Sequence, residues 1–198
     1  MKMINLVIKP VDNYCNLSCE YCLTKRSLED NNCTRGEDFL RWFEILVEKL
    51  NSLTNVEKVR FTWHGGEPLL FGVENYRKVI GLQKKLKLDF DNVIQTNGLL
   101  LTPQLANTFV SDLKFSISIS IDGPDFESNS YRFQSENEFL TTKSNLDSLS
   151  INNISYSLIF VIHDRNFNEA DKIFNFITDQ KPTNGVALPG YYLDEHNR

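Results

Sequence analysis

Apolar and polar residues alternate along this chain in two periods that take turns. Short runs with every second residue apolar, the period of a strand, give way to stretches whose apolar residues recur at three and four, the period of a helix. Ile4 to Lys9 is expected as a first strand, stopped by Pro10. Thr34-Arg35-Gly36-Glu37 has capping-box spacing and opens a helix carrying Phe39, Phe43, Leu46 and Leu50, with Trp42 expected in the core as well. Val56 to His64 predicts a second strand and Glu74 to Leu86 its helix; Phe90 to Gln95 predicts a third strand. Thr102-Pro103 supplies an N-cap and a first-turn proline for a helix with Leu105, Phe109 and Val110. A fourth strand follows over Phe115 to Ile121. Ser135 and Glu138 form a capping box before a helix through Leu146 and Leu149. Ser155 to Ile162 predicts a fifth strand, then a helix with Ala170, Ile173, Phe174 and Ile177, and Gly185 to Leu188 a sixth strand.

Repeated βα units of this kind build a parallel sheet. The polar half of each alternation decides its shape. Phe115, Ile117, Ile119 and Ile121 oppose Ser116, Ser118, Ser120 and Asp122, and Val59, Phe61 and Trp63 oppose Arg60, Thr62 and His64. Helices bury the apolar side. The polar side then lines an interior, unlike a closed eight-stranded barrel, whose centre is filled with branched apolar residues. The expected fold class is α/β, a partial (β/α)6 TIM-like barrel, open, with a polar lumen. A single solvent-exposed sheet face is the alternative. With no repeat, low-complexity tract or linker, residues 1–198 read as one domain.

Composition narrows the function classes. A net charge of −5 and a pI near 5.3 argue against nucleic acid as a partner, since phosphate binding needs a basic surface. Lys84, Lys85 and Lys87 read as a solvated helix face. No apolar run approaches membrane-spanning length, and Met1 to Pro10 lacks the pattern of a signal peptide, so a cytoplasmic protein without membrane contact is expected. In that reducing compartment, clustered cysteines are metal ligands or catalytic groups rather than disulfides. Cys15, Cys19 and Cys22 sit in one short loop after the first strand, where α/β proteins place their sites. Three thiolates can hold an iron–sulfur cluster with one iron left open, or contribute to a zinc site that needs a fourth ligand. The remaining cysteine, Cys33, lies past a polar run, Glu29 to Asn32, and reads as a free loop thiol. The loop itself is expected to lie outside the core.

Glycine-bearing polar loops also follow the next three strands: Gly65-Gly66-Glu67-Pro68, Thr96-Asn97-Gly98 and Asp122-Gly123-Pro124. Each is compatible with an ordinary turn. Glycine equally lets a ligand approach the backbone, and a strand-end carboxylate can accept from ammonium or ribose hydroxyls. The Cys15, Cys19, Cys22 triad, with Tyr21 before the last thiol, resembles the cluster loop of the radical S-adenosylmethionine superfamily. Trp63 to Pro68, Gln95 to Gly98 and Ser118 to Pro124 resemble the branch of anaerobic sulfatase maturases and other peptide-modifying, SPASM-type enzymes, in matching order from the first strand to the fifth helix.

The resemblance implies a [4Fe-4S] cluster on Cys15, Cys19 and Cys22, with S-adenosyl-L-methionine chelating the fourth iron. Gly65, Gly66 and Glu67 would contact the methionine amino group and Pro68 would fix the loop. Tyr21 and the edge near Val161 would flank the adenine, and Ser120 and Asp122 would hold the ribose and methionine ends. Arg132 would neutralise the carboxylate, with Gln95 and Asn97 lining the lumen. Reductive cleavage would give a 5′-deoxyadenosyl radical that takes hydrogen from a peptide or protein substrate. A flavodoxin- or ferredoxin-like donor would supply the electron. Two departures stand out: Ser128 and Asn129 occupy places where relatives carry a His-Asp pair, and with only Cys33 to spare there is no cysteine-rich auxiliary region. A compact enzyme, one half of a split system with a partner subunit covering the open barrel, or a truncated product are the resulting expectations. A zinc-binding scaffold, a small-molecule substrate and a glycyl-radical activating role are the alternatives. His64 reads as a rim residue, and His163 and His196 as structural.

Overall fold

A computed structural model describes residues 2–22, 36–180, 182 and 184–189. The capping residues Thr34 and Arg35, the thiol of Cys33 and His196 lie outside the described residues. The strands β1 (Met3–Ile8), β2 (Lys58–Trp63), β3 (Asp89–Thr96), β4 (Phe115–Ser120), β5 (Ser157–Ile162) and β6 (Asn184–Pro189) pair in sequence order, every pairing parallel. The sheet curls into an open partial barrel, as the alternation predicts. Helices α1 (Gly36–Leu50), α2 (Val73–Gln83), α3 (Pro103–Asn107), α4 (Glu136–Ile151) and α5 (Ala170–Gln180) connect the strands. Among the described residues, no helix is long and apolar enough to cross a membrane.

The alternation acts as read. Val59, Phe61 and Trp63 on β2, with Ile94, Ile117, Leu158 and Phe160 on the following strands, are fully enclosed beneath the helices. α1 lays Phe39, Phe43, Val47 and Leu50 on them, so that the Phe43 ring meets Phe61 at 5.6 Å and Trp63 at 5.7 Å. On the opposite face, Asp91 receives both Arg60 Nε at 2.9 Å and Arg60 Nη2 at 2.8 Å, and Lys58 Nζ lies 2.8 Å away. Thr62 Oγ1 donates to Asn5 Oδ1 at 2.9 Å. Asn5, Arg60 and Asp91 stand in register across β1, β2 and β3, Lys58 and Thr62 reach them diagonally, and together they make the lumen polar.

Three local differences have packing causes. Trp42 is 50% exposed rather than core: it lies one residue before Phe43, off the stripe, with its ring tilted against Phe39 at 5.8 Å and Phe43 at 6.5 Å. Phe174 is 65% exposed for the same reason, with Phe176 taking the buried place beside Ile173. The helix after Pro103, capped by Thr102 Oγ1 accepting from the Leu105 N–H, widens into a π-helical turn over Thr108–Asp112. That turn accompanies the edge-on seating of Phe109 against Tyr76 and Phe115, at 5.2 and 5.3 Å. The capping box at Ser135 and Glu138 is present in full. Asn92 faces the helices, where it accepts from Trp63 Nε1 and exchanges two bonds with Gln83, so both the oxygen and the nitrogen of this buried amide are paired.

Phe43→Ala should lower the unfolding free energy by about 3–5 kcal/mol through the cavity it leaves. Trp42→Ala should cost about 1 kcal/mol or less. Urea unfolding of both variants checks this, and equal losses would mean that Trp42 is a core residue after all.

Candidate functional site

The cysteine loop starts where β1 ends and is seated on the core rather than outside it. Val11 and Leu17, on either side of Cys15, are 3% and 4% exposed. At its leading end the Tyr14 carbonyl accepts the Glu67 N–H at 2.8 Å. Gly66 makes this approach possible: its φ is +54°, and a Cβ there would stand 2.1 Å from the Tyr14 oxygen. The glycine therefore serves contact between two loops. At the trailing end the Glu20 N–H donates to the Tyr131 carbonyl at 2.7 Å.

Glu67 is almost wholly buried, and its carboxylate is taken up by neighbouring loops. Oε1 accepts from the Leu69 N–H at 3.0 Å, capping the short 3-10 turn over Pro68–Phe71, and from Thr96 Oγ1 at 2.8 Å. Oε2 accepts the Asn97 N–H at 2.8 Å. Burial nonetheless pushes its pKa up from 4.5 to about 7, against those three donors. Tyr76 on α2 donates its hydroxyl to the Pro68 carbonyl at 3.0 Å and holds the same loop from behind.

Asp122 is fully buried at the end of β4. Tyr21 donates its hydroxyl to Oδ2, Arg132 donates from Nε at 3.2 Å and Nη2 at 2.9 Å, and the Val161 N–H reaches Oδ1 at 3.0 Å. The resemblance implies ribose and methionine contacts for Asp122; here its carboxylate is saturated by the protein. Arg132, 5.5 Å from the centre of the Tyr21 ring, keeps Nη1 without a hydrogen-bond partner among the described residues. The Asp122 carboxylate raises the Arg132 pKa, so the guanidinium stays charged though buried.

Ser128 and Asn129 account for their own positions. Asn129 Oδ1 accepts the Asp122 N–H at 2.8 Å, its Nδ2 donates to the Gly123 and Asp125 carbonyls, and its carbonyl accepts the Arg132 N–H at 2.8 Å. Ser128 Oγ donates to Asp125 Oδ1 at 2.7 Å. The two residues thus close the turn that delivers Arg132. His163, read from sequence as structural, is buried with its ring against Tyr131 at 4.9 Å and Tyr21 at 6.1 Å. Asn166 ties that loop to the rim by donating to the Asp122 and Val161 carbonyls. His64 is exposed on the rim, its N–H bonded to the Ile8 carbonyl at 2.9 Å. Gln95 and Ser120 are half-buried on the lumen side of β3 and β4. Asn16, Asn129, Asn166 and His163 carried no sequence signal beyond their neighbourhood, because each acts through distant backbone groups.

Cys15, Cys19 and Cys22 share one electrostatic environment. Burial pushes the Cys19 thiol up to about 11 and the Cys15 thiol upward too; Arg132 pulls Cys19 the other way. Cys15 Sγ accepts the Leu17 N–H at 3.4 Å and Asn97 Nδ2 at 3.8 Å. Among the described residues, no three His, Cys, Asp or Glu side chains gather tightly enough for one metal ion. A zinc site requires all its thiolates at about 2.3 Å from a single centre. A four-iron cluster instead takes each cysteine on a different iron, so an all-sulfur set spread along one loop fits it.

A parallel partial barrel with a three-thiol loop and three glycine-bearing loops on one rim defines a cofactor-dependent α/β enzyme domain. The family model for the Radical SAM superfamily matches residues 10–177, and the chain belongs to that superfamily of enzymes. Its cofactors are S-adenosylmethionine and a [4Fe-4S] cluster. The chain is 33% identical over 186 residues to the serine-type anaerobic sulfatase-maturating enzyme of Bacteroides thetaiotaomicron, covering 90% of this chain and 44% of that protein. It is 36% identical over 129 residues to the cysteine-type anaerobic sulfatase-maturating enzyme of Clostridium perfringens, covering 63% of this chain and 34% of the relative. A solved structure of histidine-tagged anSMEcpe with bound AdoMet superposes with a TM-score of 0.79 at 25% identity, over 96% of this chain and 52% of that one. Streptococcus suis SuiB bound to S-adenosylmethionine, at 16% identity and a TM-score of 0.69, agrees in fold; the match covers 99% of this chain and 43% of that one. The chain thus spans about half the length, or less, of the proteins it matches.

Gly66→Ala should unseat the cysteine loop, because the added methyl group meets backbone and the φ is unfavourable. Thiol labelling of the metal-free protein should then run several-fold faster at Cys15, Cys19 and Cys22. Unchanged labelling would refute the loop contact.

Glu67 sets a pH dependence with a definite sign. Its folded pKa of about 7 lies above the ordinary 4.5, so its contribution to stability is full below about 4.5 and lost as pH rises through about 7. The stability of the metal-free protein relative to Glu67→Gln should therefore fall between those values and level off above them. A difference that grows with pH, measured by urea titration, would reverse the assignment.

Proposed function

We propose that this chain is a single radical S-adenosylmethionine core that modifies a peptide or protein side chain in the manner of a maturase. The observation that carries the reading is the gathering of the three-thiol loop, the Gly65 to Pro68 loop, the Thr96 to Gly98 loop and the Asp122 turn around one end of a polar lumen. When bound, the cluster and S-adenosylmethionine supply a 5′-deoxyadenosyl radical that takes a hydrogen atom from the substrate.

The chain's own groups then have separate tasks. Cys15, Cys19 and Cys22, once deprotonated, hold three irons. The Gly65 and Gly66 backbone receives the methionine amino group, and Glu67 and Pro68 keep that loop in place through Thr96, Asn97 and Tyr76. Arg132 Nη1 is available to the methionine carboxylate while Nε and Nη2 stay on Asp122. Ser120 and Gln95, on the lumen side, face the ribose and substrate, and Tyr21 and Val161 flank the adenine. Asp122 acts by positioning Tyr21, Arg132 and Val161. The sulfatase-maturating relatives support a peptide or protein substrate. The half-exposed Lys58, Arg60 and Asp91 group leaves polar surface in the lumen for a substrate backbone. A flavodoxin- or ferredoxin-like donor, a cytoplasmic location and a partner subunit over the open side of the barrel complete the reading.

Anaerobic reconstitution tests it. The protein should bind about four irons per chain and, after dithionite reduction, convert S-adenosylmethionine to methionine and 5′-deoxyadenosine. Cys19→Ala should lose the iron and the cleavage while keeping its far-ultraviolet circular dichroism. Colourless protein loaded with zinc, or a Cys19→Ala variant with full iron content, would overturn the proposal.

A further inference from the structure

Two side-chain amides stand at Cys15, and a single backbone group decides how both are turned. The Leu99 N–H donates to Asn97 Oδ1 at 3.0 Å, so the other edge of that amide carries the NH2. That edge meets Asn16 Oδ1 at 2.8 Å and Cys15 Sγ at 3.8 Å. Asn16 must show its oxygen to Asn97, since the reverse orientation would set one NH2 against another. Its own NH2 is thereby directed away from Asn97. Asn16 Nδ2 is buried there without a hydrogen-bond partner, a condition shared among the described residues only with the Thr142 hydroxyl. A buried amide donor left unpaired is costly, and its retention inside the three-thiol loop points to an acceptor that arrives later.

The sulfur at Cys15 is already better supplied with donors than that of Cys19. It accepts from the Leu17 N–H at 3.4 Å as well as from Asn97, whereas Cys19 accepts from no N–H among the described residues. As a thiol, Cys15 also donates toward Asn16 Oδ1 at 3.9 Å; as an iron ligand it loses that proton and can only accept. The Asn97 amide cannot easily swing away, because its backbone N–H is held by Glu67 Oε2 and Gly98 follows in a left-handed conformation packed against Ile119 and Thr142.

We infer that Asn97 and Asn16 form a donor pair for the iron–sulfur cluster at its Cys15 corner. Asn97 gives an N–H···S bond to the Cys15 thiolate, Asn16 gives one to a cluster sulfide, and together they raise the cluster's reduction potential. The inference rests on the cluster assignment proposed above. One-electron reduction adds negative charge to the cluster, and N–H dipoles aimed at its sulfurs favour the more negative state. The two residues are thus tuning groups that make the reduced cluster accessible to a biological donor.

Redox titration with dithionite, followed by electron paramagnetic resonance of the reduced cluster, separates the possibilities. Asn16→Leu removes the orphan donor with little change of volume. It should lower the equilibrium constant for reduction about tenfold, which is 59 mV for a one-electron couple. Asn97→Ser should shift it the same way. Electron–nuclear double resonance in deuterated buffer should show an exchangeable proton coupling in the native protein that Asn16→Leu lacks. In the metal-free protein, Asn16→Leu relieves one unpaired donor but strands the Asn97 NH2 that Asn16 Oδ1 accepts, so its urea midpoint should stay close to the native one, whereas a side chain that serves folding alone predicts a clear loss. Clusters present in normal amount, with unchanged potentials in both variants, would overturn the inference and leave the cluster assignment standing. A native protein that binds no iron or sulfide would remove the assignment and the inference together.

Discussion

A buried carboxylate, that of Asp122, is the interaction on which this site depends. It has no exposed surface, and an isolated carboxylate so placed would give up its charge. It keeps company instead with donors from three parts of the chain: Tyr21 on the cysteine loop, Arg132 on the turn after β4, and the Val161 backbone on β5. Each segment is pinned where the carboxylate requires it. A buried ion pair of this type contributes little net stability but specifies one arrangement, because losing either partner strands a charge, at a cost of about 3–5 kcal/mol.

Glu67 repeats the device on the opposite flank. It gathers the β2 and β3 loops through Leu69, Thr96 and Asn97, while its backbone N–H holds the Tyr14 carbonyl. The cysteine loop is therefore clamped at both ends before any metal arrives, at Tyr14 by the Glu67 loop and at Tyr21 by Asp122. The arrangement carries an electrostatic burden. Two acids and three thiols lie close together with Arg132 as the principal counter-charge, and burial first, with these negative neighbours after it, shifts the Cys15 and Cys19 thiols upward. Metal binding here must release protons, so cluster assembly and local charge are coupled.

The same barrel recurs in Streptococcus suis SuiB at 16% identity. Such agreement is what alternation permits: the sheet needs apolar residues toward the helices and polar ones toward the lumen, and many side chains satisfy either demand. The rim is more exacting. A Cβ at Gly66 would collide with backbone, and Asn129 must satisfy the Asp122 N–H and two carbonyls at once.

What the sequence determined by itself was everything that repeats at short range. The strands and helices, the cap at Thr102, the capping box at Ser135 and the three-thiol spacing follow from periods and neighbours, which need no knowledge of what lies opposite. Even there, the stripe margin at Trp42 differs from its reading as core, since whether a flanking aromatic is covered depends on the partner surface. Only the tertiary structure decided how the motifs are used. Glu67 and Asp122 read as ligand contacts because they are acids at strand ends, yet their partners lie up to 101 residues away, and folding alone reveals that those partners occupy the carboxylates. The orientation of Asn16 was decided in the same way, by a Leu99 N–H that no local pattern connects to the cysteine loop. Hydrogen bonds are short and directional, so who meets whom at the rim is settled by the fold rather than by spacing along the chain.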